Sequence, residues 1–353
     1  MKTLNLGDDI DRIARKVIQK CKYIPENWIE ETKDILHCLQ MRTVEQTSFG
    51  NMSEDNSSID SVDDILSFID SCLSSLYSGK EEKVSATRDL LSICKKIDNL
   101  NILVQHEPIM SAMSRLIGDD SICSSDLTFN LGRICLAISS VRKHHKLLSK
   151  HGIGSLIISV VQLEVKRKNL LMNSDYPGVT GGEISVGTRR NDNILYVYLS
   201  ILAEFSVDMS TFQKMLKRDI TPLLLSCVTT ASRECLYVVL LLLKRASMYE
   251  EEVMIMKDWE QVNLVETFVK LLMNDDVQIS ALVTSILYNL SFKRFFREQM
   301  LRAKQLNILM LSHSDSKSRG DVWKIIYQFT VDRDLRILIS KSTGFKNKAD
   351  KFC

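Results

Sequence analysis

Apolar residues recur at three- and four-residue intervals along most of the chain, and one segment shows the pattern most completely. From Asp275 to Ser291 acidic residues open the stretch, apolar positions follow at helical spacing, and it ends in Leu287-Tyr288-Asn289-Leu290-Ser291. A basic amphipathic stretch over 293–304 comes next, then a shorter apolar one from Leu306. The pattern predicts a recurring unit of one long helix and two short ones. Placing the equivalent long-helix end by apolar pattern gives Ile97, Ser140, Ser206, Ser247, Ser291 and Thr330, at spacings of 43, 66, 41, 44 and 39 residues. All but one suit the roughly 40–47-residue period of stacked helical arrays. The long interval contains a stretch between Met172 and Asn193 that holds Gly178, Gly181, Gly182 and Gly187 and lacks helical periodicity. It predicts a surface insertion.

One such unit cannot bury its own apolar face, so neighbours must stack and share a continuous core. The run from Val238 to Leu243 is apolar on nearly every side, which predicts a central helix. Ahead of the array, Ile10, Ile13, Val17, Ile18 and Cys21 mark one amphipathic helix, Pro25 breaks it, and Ile29, Ile35, Leu36 and Leu39 mark a second. The expected organisation is a helical hairpin over 1–42, a polar flexible linker over 43–62, the array over 63–340 with its insertion at about 172–193, and a basic tail over 341–353.

Composition narrows the class further. The 353 residues include only 4 Pro and 13 Gly, so breakers are scarce and the fold class is all-α. The formal net charge of +2 supplies no global field toward nucleic acid or an anionic membrane. No signal-like run opens the chain, and the longest apolar run is too short to cross a bilayer. The 9 Cys fall at core-like helical positions without a paired framework and read as reduced cytosolic thiols, which leaves the sequons at Asn51, Asn56 and Asn289 without meaning.

A search for chemistry assigns no catalytic residue, cofactor or metal. The glycines match no phosphate cradle, and no Ser stands in a nucleophile elbow. Adjacent His144 and His145 diverge by about 100° on a helix and cannot chelate together. With His151 they read as outer-face residues of a basic helix. Cys227 and Cys235 read as core residues on consecutive helices. The basic stretches 141–151 and 293–298 lack any RNA-binding motif and read as solvated faces of short outer helices.

The long-short-short unit ending in Asn289-Leu290-Ser291 resembles an armadillo repeat, which implies a right-handed superhelical solenoid. In armadillo carriers of the nuclear-import and catenin kind, a row of Asn clamps an extended peptide, because an amide both donates and accepts. The corresponding positions, two before each helix end, are Lys95, Ile138, Glu204, Arg245, Asn289 and Gln328, and Asn289 alone fits. The partner is then expected to be held by side-chain pockets and mixed charges.

A longer likeness runs through the chain. Asp9 to Ile24 resembles a stretch of the form D-I-x-x-L-A-R-K-V-x-x-x-C-K-x-I in the kinesin-associated protein family, and 35–42 resembles its L-L-x-x-L-Q-x-R. Asp63-Asp64-Ile65 and Asp98-Asn99-Leu100 match like residues in its first repeat. Leu103 to Glu107, His151 to Leu156, Glu164 to Arg167 and Asn289 to Phe292 resemble its L-L-Q-N-E, Y-K-I-G-A-L, E-L-K-R and N-L-S-F. The family pattern has an extra segment before the hairpin, more repeats, and a charged helical insertion where this chain is shorter and Gly-rich. Functions resting on the further repeats, some cargo contacts among them, are not carried over by the likeness.

The resemblance implies a non-catalytic adaptor of heterotrimeric kinesin that binds heavy-chain tails, and through them links the motor to cargo or transport-particle proteins in cytoplasm, cytoskeleton, cilium or flagellum. It implies neither nucleic-acid binding nor membrane insertion. Repeat geometry, independently of the family, nominates Glu204, Arg245, Asn289 and Gln328 as the partner-binding inner face. A generic armadillo regulator of a small GTPase or of protein turnover is the alternative, and an enzyme would need a deep polar pocket with converging ionisable groups.

Overall fold

The periodic stretches are helices in the computed structural model, which describes residues 62–119, 124–173, 181–218, 220–249, 264–272, 276–302 and 316–341. The chain divides into two units, Met1–Asp60 and Ser61–Cys353. The expected hairpin, most of the linker and all but the first residue of the basic tail lie outside the described residues. Among those described there is no strand.

The array opens with α1 (Val62–Ser75) and α2 (Lys80–Ile93). A first complete unit follows: α3 (Ile97–Gln105), α4 (Glu107–Ile117) and the long α5 (Ser125–Ser139). The second has a 3-10 turn (Arg142–His144) leading into α6 (His145–Lys150), then α7 (Ile153–Asn173) and α8 (Gly181–Phe205). The third is α9 (Met209–Leu216), α10 (Ile220–Cys227) and α11 (Arg233–Ala246). Beyond it come α12 (Leu264–Leu272), α13 (Val277–Ser291), α14 (Arg294–Arg302), α15 (Ser316–Val331) and α16 (Arg333–Lys341).

Local chemistry sets several boundaries. Asp276 caps α13, its carboxylate accepting from the N–H groups of Gln278 and Ile279 at 3.0 and 3.2 Å. Asp208 caps α9 in the same way through Thr211. Pro108 sits in the first turn of α4, where its missing N–H leaves no bond unmade. Gly152 turns the chain from α6 into α7 at φ 68°, in the left-handed region that side chains avoid.

The long helices α2, α5, α8, α11, α13 and α15 pack each on the next, while α4, α7 and α10 form a second row behind them. Buried residues from Ile65 to Leu335 make one continuous core. In α11, Val239, Leu240, Leu242 and Leu243 are fully buried, as the run's all-round apolarity requires. Cys135, Cys227 and Cys235 lie in that core, and burial pushes the Cys135 and Cys227 thiols up to about 12, which keeps them protonated.

The structure corrects three expectations. The insertion at about 172–193 is helical from Gly181 onward: Asn191, Ile194 and Leu195 are buried, so tertiary contact overrides the local glycine content, and the extra residues lengthen both α7 and α8. Ile97 does not end a long helix. It is 67% exposed and begins α3, after α2 has stopped at Ile93. In the first complete unit the register also slips by one. Ser139 is the residue whose hydroxyl returns to the carbonyl three before it, as Ser206, Ser247, Ser291 and Thr330 do, so Ala137, not the fully buried Ile138, stands at the inner-face position.

Candidate partner-binding face

Side-chain bonds between neighbouring units repeat the array's period. Asn130 to Thr87, His144 to Asn101, Lys150 to Glu107, Cys235 to Asp192 and Arg233 to Asp276 each join residues 43 apart in the chain. A repeat found only as an apolar pattern in the sequence is thus also written in polar ties.

The four nominated residues occupy equivalent, half-buried positions near the ends of α8, α11, α13 and α15. Two of them spend their donors inside the array. Arg245 Nη1 donates to the Ala203 carbonyl at 2.6 Å and to Ser206 Oγ, at the end of the preceding long helix. Asn289 Nδ2 donates to Ser247 Oγ at 2.8 Å and to the Lys244 carbonyl at 3.5 Å, the same tie one unit later. These bonds reach helix-end carbonyls that also accept from the terminal Ser206 and Ser247 hydroxyls. The amide that alone fits a peptide-clamping row is therefore engaged by its own neighbour. Glu204 and Gln328 make no side-chain hydrogen bond or ion pair among the described residues.

The histidines also depart from the expected solvated face. His144 is 8% exposed and donates from Nε2 to Asn101 Oδ1 at 3.0 Å, and burial with the nearby Lys143 charge lowers its pKa. His145 Nε2 donates to the Ser139 carbonyl at 2.6 Å, and its ring meets Phe205 edge-on at 5.2 Å. Three units on, Arg297 holds the Ser291 carbonyl from the same relative position, at 2.6 Å, and pairs with Asp332. Arg142, Lys143, Lys146 and Lys150 are the exposed basic residues of the 141–151 stretch, and Lys150 pairs with Glu107. What the sequence pattern does not reveal here is a capping position six residues past the long-helix serine, filled by a donor after Ser139 and Ser291 but by Phe212 after Ser206.

A cavity of about 160 Å³ lies between α4, α5, α7 and α8. Leu116, Leu131 and Leu163 line it together with Thr128, Ser159 and Tyr198. Glu164, at its edge, is tied to Arg167 and accepts from Asn191 Nδ2 at 2.7 Å. Among the described residues no cluster of His, Cys, Asp and Glu has the geometry to hold a metal, and no helix is long and apolar enough to cross a membrane.

Stacked units with a shared core and a repeated inner face define an armadillo-type scaffold, and solved structures agree. A computationally designed armadillo repeat protein for modular peptide recognition superposes with a TM-score of 0.55 at 13% identity, covering 74% of this chain and 99% of its own. A designed armadillo repeat protein in complex with peptide (KR)4 gives 0.53 at 14% identity, over 74% and 99% of the two chains. At the level of sequence, the model of the kinesin-associated protein (KAP) family matches residues 1–177 and 182–350. The chain belongs to that family. Between these two segments the match lapses around the junction of α7 and α8, where these two helices are lengthened.

Proposed function

We propose that this protein is the non-catalytic adaptor of a heterotrimeric kinesin, gripping the tails of the heavy chains with its array and joining the motor to cargo, including the particles moved along cilia and flagella. The observation that carries this reading is the family match along nearly the whole chain. A stacked scaffold suits the task, because its binding surface is long and held rigid by a core that needs no ligand. In this reading the protein works in the cytoplasm on the cytoskeleton, and in cilia or flagella where these are present.

We place the heavy-chain contact on the inner face around Glu204, Arg245, Asn289 and Gln328. Co-purification with kinesin heavy-chain tails tests both parts. The wild-type chain should retain the tails. Glu204→Lys and Gln328→Glu, which break no described bond, should weaken retention, as should Arg245→Glu and Asn289→Ala once their folding is verified by thermal melting. Undiminished retention by all four variants would remove this face from the contact. Recovery of other partners without any motor subunit would favour a general armadillo regulator instead.

A further inference from the structure

The inner face carries a second row of residues that the amide-row comparison passes over. One position after the hydroxyl that ends each of four successive long helices stand Val207, Met248, Phe292 and Val331, which are 40%, 65%, 47% and 63% exposed. Large apolar side chains thus recur exposed at one register along adjacent units, the kind of surface that monomers seldom leave uncovered. Four residues earlier, in the last turn of each long helix, lie Ala203, Lys244, Tyr288 and Tyr327. The two rows touch: Tyr288 and Phe292 meet edge to face at 5.2 Å, and Lys324 of the next helix lies over the Tyr288 ring at 5.6 Å.

We propose that this strip seats an amphipathic helix of a partner protein, with apolar side chains at seven-residue intervals and acidic side chains beside them over α11 to α15. The interval follows from geometry. Packed helices stand about 8–10 Å apart, and seven residues of α-helix advance about 10.5 Å, so one face of a helix meets every rung. An extended segment covers a rung in about three residues at 3.3 Å each, and an odd step turns successive side chains to opposite sides. Its backbone would also need the amide clamps, and Arg245 and Asn289 are tied to their neighbours. The charge follows from Lys244 and Lys324 beside the strip, while the one acid of the inner-face row, Glu204, stands at its α8 end.

The partner's identity rests on the adaptor reading above, but the shape of its contact does not, and the test separates the two. The probe is a synthetic helix of about 28 residues with Leu at every seventh position and Glu flanking, followed by fluorescence anisotropy against the full chain. It should bind, a Lys-flanked version should bind at least about tenfold more weakly, and Met248→Asp and Val331→Asp should each cost about tenfold while leaving the melting temperature unchanged. Phe292→Ser serves as a milder third variant. No binding of the Glu-flanked helix, or equal binding by the variants, overturns the proposal. Heavy-chain tails are tested on the same proteins. Tails held equally by wild type and variants, with no helix bound, overturn the strip and leave the adaptor role standing, whereas a bound helix with no tail retained upholds the strip and overturns that role.

Discussion

Alanine in place of Gly132 brings a methyl group to 2.5 Å from Tyr198 Cε2 and 3.0 Å from Val197 Cγ1, where α5 and α8 press together. The Tyr198 ring has nowhere to go, since it is 1% exposed and its hydroxyl donates to the Thr128 carbonyl at 3.0 Å. Helix propensity favours Ala over Gly by about 1 kcal/mol, but forcing volume into a filled site costs about 1–3 kcal/mol. Gly132→Ala should therefore lower stability, read as an earlier midpoint in urea. A second residue sets a pH response. The Asp208 carboxylate accepts from the Thr211 hydroxyl at 2.6 Å, the Ser210 hydroxyl at 2.7 Å and the Thr211 N–H at 2.9 Å, and these bonds lower its pKa from 3.8 to about 2. A carboxylate held below its unfolded pKa stabilises the fold above that unfolded value and loses the contribution as pH falls toward the folded one. Melting temperature should thus drop between about pH 4 and pH 2, and Asp208→Asn should flatten that part of the curve.

Between elements, the ties that join one long helix to the next decide how firmly the units stack. Asn289→Ala removes the donor that reaches Ser247 Oγ and the Lys244 carbonyl, at the half-buried seam of α11 and α13. A net loss of about 0.5–1.5 kcal/mol is expected, measurable by chemical denaturation, and Asn289→Gln should not restore it because the longer side chain displaces the amide. The sequence made the helices legible and left these ties hidden. Apolar spacing marked α11 as central, the acidic pair before Val277 marked the start of α13, and Cys227 and Cys235 fell on consecutive core helices. Ser139 and Ser140 could not be told apart by pattern, because both are hydroxyl residues at the end of one apolar run. Gly181, Gly182 and Gly187 suggested a loop where Asn191 and Ile194, buried against α7 and its neighbours, hold a helix. For the inner face, periodicity located equivalent positions, yet nothing local to Arg245 or Asn289 announces that its partner lies some 40 residues earlier in the chain.

For the array as a whole, nearest-neighbour stacking means that a defect's reach depends on where it falls. α11 packs on α8 on one side and α13 on the other, whereas α1 lies against α2, α3 and α4 at the beginning of the described stack. Leu240 in α11 and Ile69 in α1 are both fully buried. Truncating either to Ala removes a comparable apolar group and costs about 2–5 kcal/mol, so any difference between them reports position. In a stack of units coupled only to neighbours, Leu240→Ala should loosen a block from α8 to α13 and leave α1 to α4 protected. Ile69→Ala should loosen α1 to α4 and spare α11 and beyond. Hydrogen exchange resolved by segment reads both. Uniform acceleration along the chain in either variant would mean that the array unfolds as one cooperative body and not unit by unit.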